Sequence, residues 1–495
     1  MSDALQQRLE RAARSLRFAI ERREEGLIVR AGDGVARARG LSSVGLDELV
    51  YTERGVAALA MDLREHDVGL VLLDEAGDVR VGDILRASGT VLAVPAGEEL
   101  LGRVVDPLGR PLDGLPPPAC RDRVPIERPA PGIAERQPVT EPLFTGTTVV
   151  DTLFPIGRGQ RQLILGDRGT GKTTLAIDAV LAQRDSGVRC VYVLIGEKAS
   201  GVVALLETLR SRGALAHTIV VVAAADAPAG MRFIAPYAGM AMGEHFRDEG
   251  ESSLVVFDDL TRHAIAYREI SLLLERPAGR EAYPGDIFYL HSRLLERATH
   301  LEGSLGGGSL TALPIAEPQA GRISDYIPTN LISITDGQLY LDPLQFDQDF
   351  KPAVDVGLSV SRVGGRTQRA SMRGVAATLR LEAARYREVE VFSRFGARLE
   401  ESTQRLLARG ARIREALTQT LHDPIGPGEQ VAMIIAITSG ALDTAPVESI
   451  RARLADLRSR LRAGHSGLVR KLELGQPPSD EDRRAIDAEL SAGAR

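Results

Sequence analysis

The densest chemistry in the chain is the run Gly166-Asp167-Arg168-Gly169-Thr170-Gly171-Lys172-Thr173, with Thr174 after it. Glycines at this spacing let backbone N–H groups curl around phosphate oxygens, and a helix that follows turns its positive end toward them. The run matches a P-loop. In such a loop Lys172 reaches the β- and γ-phosphates, and the Thr173 hydroxyl ligates Mg2+. The ligands implied are ATP or ADP with Mg2+.

Three further residues have types and positions that suit phosphoryl chemistry. Asp258 ends the apolar run Ser253-Leu254-Val255-Val256-Phe257 and precedes Asp259. An acid there is commonly a helix cap. Beside a P-loop it reads as the Mg2+ acid, acting directly or through water. Glu197 ends CVYVLIGE and reads two ways: a carboxylate polarising the water that attacks the γ-phosphate, or a surface acid paired with Lys198. Arg362 lies in VGLSVSRVGG, flanked by serine and glycine. An arginine finger needs mobility, a fixed charge and exposure toward a neighbouring subunit. Arginine is so common here that the flanks alone do not single it out: all but four of the 61 basic side chains are arginine, the exceptions being Lys172, Lys198, Lys351 and Lys471. Gly306-Gly307-Gly308 reads as a plain flexible loop.

These residues need elements to hold them. The P-loop has an apolar strand before it (RQLIL) and a helical pattern after it (TLAIDAVLAQ). Across residues 150–345 the fully apolar runs RQLILG, CVYVLIG, HTIVVVAA and SLVVFDD alternate with helical segments, which implies a parallel sheet covered on both faces. Residues 26–94 hold short, evenly spaced strands and suggest a small β-barrel. Residues 106–142 are proline-rich and read as a linker or extended wrap. Residues 370–495 carry periodic leucines in charged stretches and almost no β pattern. The expected fold is an α/β core of the P-loop, RecA-like type, with an N-terminal β-barrel and a C-terminal α-helical domain. Its expected divisions are an amphipathic helix at 1–25 (Leu5, Leu9, Ala12, Leu16, Ile20), the barrel at 26–94, the nucleotide-binding domain at 95–369 and the helical domain at 370–495.

Composition narrows the function classes. At roughly 150 residues per domain, 495 residues suggest about three domains. A net charge of −6 argues against a nucleic-acid binder held by bulk charge. Cys120 and Cys190 are the only cysteines, so neither a disulfide framework nor a cysteine metal cluster is expected, and a reducing compartment is. No apolar run reaches the roughly 18 residues of a membrane span, so membrane contact is expected only through partners.

Four stretches carry a resemblance: PIGRGQRQLILGDRGTGKTTLAID, RPAGREAYPGDIFYLHSRLLERA, SLTALPIAEPQAGRISDYIPTNLISITDGQLYLD and VGLSVSRVGG. On them the chain resembles the alpha subunit of the rotary F-type ATP synthase, over about residues 26–440 and more weakly toward both ends. It resembles the beta subunit less, because beta-type chains lack the Asp-Arg pair in the P-loop and carry Glu-Arg where this chain has Glu197-Lys198. The resemblance implies an alternating ring of three alpha and three beta subunits around a central stalk of gamma and epsilon, with peripheral-stalk subunits outside. It implies a complex on the cytoplasmic face of the bacterial inner membrane that couples ion flow to ATP synthesis or hydrolysis. Alpha subunits bind Mg-ATP at sites that normally do not turn over, and they lend an arginine to the beta catalytic site. The SVSR match puts that arginine at Arg362, with Ser359 positioning it. The adenine pocket of the family maps onto Lys351, Pro352 and Gln419.

The chain departs from the family pattern at several points. Glu197 stands where alpha subunits usually have glutamine, and Gly169 replaces a usual P-loop glutamine. Arg322 and Asp325 stand in QAGRISDYIPTN where QAGDVSAYIPTN is typical. Leu421 and His422 stand where Gln-Tyr is usual. The pattern resembles the divergent alternative synthases carried as a second operon in some bacteria, coupled to H+ or Na+. Two other classes share the core fold. An RNA-dependent hexameric helicase needs exposed aromatics in its N-terminal domain, and residues 26–94 hold one aromatic, Tyr51. A homohexameric export ATPase would be active without a beta partner.

Overall fold

The computed structural model describes residues 24–75, 79–318, 321–393 and 400–492. The amphipathic helix expected over 1–25 lies outside the described residues, except at its end, where Glu25 opens the first strand instead.

Two compact units divide at Leu92/Ala93. The first is a closed barrel of six strands: β1 (Glu25–Gly32), β2 (Val35–Arg39), β3 (Glu48–Thr52), β4 (Ala57–Leu63), β5 (Val68–Leu72) and β6 (Ile84–Val91), in the order β1-β2-β5-β4-β3-β6. Antiparallel pairing of β1 with β6 closes it. The strand period of two sends Ile28, Ala38, Val50, Ala60, Leu70 and Leu85 inward, and these fill the interior. Arg37 is buried beside two acids, Asp67 at 2.6 Å and Asp62 at 3.1 Å.

The second unit is built on an eight-stranded sheet. Its order is Val360–Ser361, Gly337–Leu341, Leu163–Gly166, Ser309–Ala316, Ser252–Asp258, Arg189–Glu197, Thr218–Ala224 and Val104–Val105. All pairs are parallel except the first, where Val360–Ser361 runs antiparallel to Gly337–Leu341. Every residue of Ser309–Ala316 is buried, as expected of a strand covered on both faces. The proline-rich stretch is more than a wrap, since Asp122–Pro125 within it pairs with Ala93–Ala96; just before it, Val104–Val105 extends the sheet edge.

Helix Ala229–Asp248 packs on the sheet, and 17 of its 20 residues are buried, so apolar and small side chains surround it. Gly239 and Gly243 are the contact points. A Cβ at Gly239 would collide with Val193, and one at Gly243 would stand 2.5 Å from Val255. Near the helix end Glu244, 1% exposed, meets Arg297 and Arg247 and accepts Arg128 at 2.9 Å. Gly306-Gly307-Gly308 is not a plain flexible loop. Gly308 is pressed against the Arg247 carbonyl with no room for a side chain, and Leu301 N donates to Gly308 O at 2.9 Å.

Beyond residue 369 the described residues form helices Ala370–Ser393, Glu401–Ala416, Pro427–Thr438, Ile450–Gly464, Ser466–Glu473 and Asp480–Ala492. Pro427 opens its helix at a position where a missing N–H costs nothing, and the run VAMIIAI that follows is buried. Gln430 on that helix donates to Asp151 of helix Thr148–Leu153 at 2.8 Å, fastening the helical region to the nucleotide-binding region.

Candidate functional site

The strand Leu163–Gly166 ends at the carboxyl edge of the sheet, and helix Lys172–Leu181 starts after five intervening residues. The turn between them has Gly169 and Gly171 at φ of +81° and +92°, which side-chain-bearing residues rarely adopt. Beside it lies a cavity of about 360 Å³. Arg168, Gly169, Thr170, Gly171, Lys172, Thr173 and Thr174 line it. Gly166 and Asp167 do not. Gly166 sits under Leu341 and Thr170, and the Asp167 carboxylate turns aside to accept Gly321 N at 2.9 Å.

Lys172 Nζ donates to Asp167 O at 2.6 Å and lies 3.7 Å from Glu317 Oε2. Burial pulls its ammonium below the ordinary lysine value, against the opposing pull of Glu317, Asp259 and Asp258. Thr173 Oγ1 donates to Asp258 Oδ2 at 2.8 Å, and Tyr192 OH donates to the same oxygen at 3.0 Å. Burial raises the Asp258 carboxyl despite those two bonds. Burial, then the charge of Asp258, pushes Asp259 up to about 7. Asp259 also caps helix Leu260–Leu273 by accepting Arg262 N at 2.8 Å.

The acids therefore carry more negative charge than a buried site holds comfortably, and a divalent cation beside Thr173 and Asp258 would relieve it. Among the described residues no group of three or more His, Cys, Asp or Glu forms a metal cage.

Glu197 lines the same cavity. Its partner is Arg262, whose Nη1 bonds Glu197 Oε2 and also donates to Gly196 O at 3.0 Å. The pairing with Lys198 does not form among the hydrogen bonds and ion pairs seen here; Lys198 precedes helix Ala199–Ser211 as its N-cap.

A second set of lining residues is less charged: Phe346, Lys351, Pro352, Gln419, Thr420 and Leu421. Lys351 Nζ stands 4.7 Å over the Phe346 ring and 2.9 Å from Asp349. Gln419 spends its whole amide on the protein. Nε2 donates to Gly146 O and Asp423 O, both at 2.8 Å, and Oε1 accepts Thr148 N at 3.1 Å and Thr148 Oγ1 at 3.3 Å.

Arg362 and Ser359 lie outside this cavity. Arg362 is exposed, and its guanidinium donates to Thr335 O at 3.1 Å and Ile332 O at 3.3 Å, at the negative end of helix Tyr326–Ile334. Arg362 N donates to Asp336 O at 2.9 Å, and Arg161 grips the Asp336 carboxylate through Nε at 3.0 Å and Nη2 at 2.8 Å. Ser359 is buried, and its Oγ accepts Tyr340 N at 2.9 Å, pinning the segment that carries Arg362 to the sheet.

Sequence reasoning missed Asp178, Asp259, Arg262, Glu317 and Phe346, all of which line the cavity. Glu317 had a readable signal, since it follows an apolar strand as Asp258 and Glu197 do. Arg262 lies in the first turn of the helix that Asp259 caps, three residues past that cap.

Comparison with known proteins agrees with this architecture. The family model described as "ATP synthase alpha/beta family, nucleotide-binding domain" matches residues 146–361, and "ATP synthase alpha/beta chain, C terminal domain" matches residues 368–492. The chain is 49% identical over 484 residues to ATP synthase subunit alpha 1 of Chlorobium luteolum (strain DSM 273 / BCRC 81028 / 2530), across 98% of this chain and 95% of that one. With its barrel, its parallel-sheet nucleotide-binding region and its helical end, the chain belongs to the ATP synthase alpha/beta family, as an alpha subunit of an F-type ATP synthase.

Proposed function

We propose that this alpha subunit binds Mg-ATP or Mg-ADP in its own cavity and lends Arg362 to the catalytic site of an adjacent beta subunit. The observation that carries the reading is a separation: Lys172, Thr173 and Asp258 line one cavity, while Arg362 is exposed outside it. A guanidinium that serves its own chain's nucleotide would face that cavity.

In the cavity, backbone N–H groups of residues 168–173 and the Lys172 ammonium would hold the phosphates. Thr173 and Asp258 would hold Mg2+, which neutralises phosphate charge when bound. Lys351, Pro352 and the wall formed by Thr420 and Leu421 would take the base. Glu197 is engaged by Arg262, so it acts at this site as half of an ion pair and the site serves binding and regulation. At the beta site, Arg362 supplies fixed positive charge as the transferred phosphoryl group becomes electron-rich. Ser359 and the Arg161–Asp336 pair position it. Three such chains alternate with three beta subunits around gamma and epsilon, with peripheral-stalk subunits outside, on the cytoplasmic face of the membrane. No helix among the described residues is long and apolar enough to cross a membrane. The coupling ion, H+ or Na+, is bound elsewhere in the complex.

The test is to assemble the complex with Arg362→Lys and measure ATP hydrolysis alongside the nucleotide retained on this subunit. Turnover is expected to fall about 10³-fold with retention unchanged. Full turnover in the variant would sink the proposal.

A further inference from the structure

Two residues that the nucleotide reading leaves unused tie the cavity rim to the P-loop helix. Asp178 stands five residues beyond Thr173, about 7.5 Å further along the axis from the phosphate-facing end. It lines the cavity, yet its carboxylate points at the rim. Asp178 Oδ1 accepts two hydrogen bonds from His422, one from the backbone N and one from Nδ1, each 3.1 Å. Burial raises the Asp178 carboxyl to about 6, and the His422 imidazole pulls it back down.

His422 directly follows Gln419, Thr420 and Leu421. Gln419 is the other anchor of this segment: its N donates to Lys351 O at 2.8 Å, and its amide is bound as described. The stretch is thus fastened at both ends, with Thr420 and Leu421 suspended between. Leu421 is 51% exposed, a large apolar side chain left on the cavity face near Phe346 and Pro352. Such a wall suits the flat face of a heterocyclic base. Since the Gln419 amide is already committed, the base is gripped by shape and stacking more than by that side chain.

We propose that Asp178 and His422 are positioning residues that latch the Thr420–Leu421 wall against the nucleoside base, so that base recognition, and not phosphate binding, depends on them. The inference rests on the nucleotide reading above.

His422 sets a useful experimental condition, because its φ is +57°. Glycine adopts that conformation freely and asparagine more readily than most residues. His422→Gly therefore removes the side-chain donor without backbone strain. His422→Asn keeps a donor close to the position of Nδ1. The full chain would be titrated calorimetrically with Mg-ATP and, separately, with magnesium tripolyphosphate, which has no base. His422→Gly is expected to weaken Mg-ATP about tenfold, to leave tripolyphosphate within about twofold, and to be largely rescued by His422→Asn. Equal loss for both ligands, no loss for either, or an asparagine variant as weak as glycine would overturn the latch. A wild-type chain that binds tripolyphosphate as tightly as Mg-ATP would overturn the latch and leave the phosphate site standing. A wild-type chain that binds neither would overturn the nucleotide reading and the latch together.

Discussion

Asp151→Asn isolates the joint between the nucleotide-binding and helical regions, and its effect should change with pH. Asp151 is 3% exposed and accepts four hydrogen bonds. Thr145 N at 2.8 Å and Thr145 Oγ1 at 2.7 Å meet Oδ1; Gly146 N at 3.0 Å and Gln430 Nε2 at 2.8 Å meet Oδ2. Asparagine serves only one of these pairs. With its amide nitrogen turned to the Oδ1 side, the Thr145 hydroxyl can rotate to accept from it, so Thr145 N is the donor left orphaned, at a cost of about 1–3 kcal/mol. Against this, burial pushes the Asp151 carboxyl up to about 6, despite the bonds from Gln430, Thr145 and Gly146. An acid whose folded value exceeds its unfolded value near 3.9 binds more protons when folded, so its contribution to stability falls as pH rises between those two values. Between pH 5 and pH 8 that fall is about 1.4 kcal/mol, most of it below pH 6. Asparagine lacks it. The variant should therefore be more destabilised relative to wild type at pH 5 than at pH 8, by about 1.4 kcal/mol. Urea midpoints of both chains at the two pH values measure the difference, and all other titrating groups cancel. A penalty that is constant with pH, or larger at pH 8, would refute the reasoning.

Other substitutions probe the remaining parts. Thr173→Ala should weaken Mg-dependent ATP binding about tenfold or more and leave metal-free binding much less changed, as read by titration with and without a chelator. Glu197→Gln should leave ATP turnover of the assembled complex within about twofold, because Glu197 is paired with Arg262 and the proposed chemistry lies on beta; loss of most turnover would show this carboxylate at work on water. Glu244→Gln should cost about 3–5 kcal/mol in thermal unfolding experiments, since it leaves the fully buried Arg297 without its carboxylate, whereas Arg247 keeps Asp248 at 2.8 Å.

The strand, loop and helix around Lys172 are legible in the sequence because each is a local pattern: an apolar run, glycines at fixed offsets, and helical periodicity. The parallel sheet is legible for the same reason, through its unbroken apolar strands. What local pattern could not supply is pairing across the chain. Asp178 meets His422, which lies 244 positions away, and no feature of either residue announces the other. Glu197 has Lys198 next to it but bonds Arg262, because Lys198 begins the following helix and Arg262 reaches back from another. Val104–Val105 is too short to show as a strand, and it joins the sheet only because Val220–Val221 is there to pair with it. Composition alone makes Gly306-Gly307-Gly308 a flexible loop, whereas the Arg247 backbone packed against Gly308 sets its conformation.

The absence of side chains at Gly239 and Gly243 bears on how the subunit handles force. Where the long helix rests on Val193 and Val255, no Cβ separates it from the sheet, so that contact has no rotamer to flip and little volume to compress. A soft joint would absorb a load applied at the nucleotide edge as local rearrangement. A joint this hard passes the load on, so that the helix and the centre of the sheet move as one stiff piece.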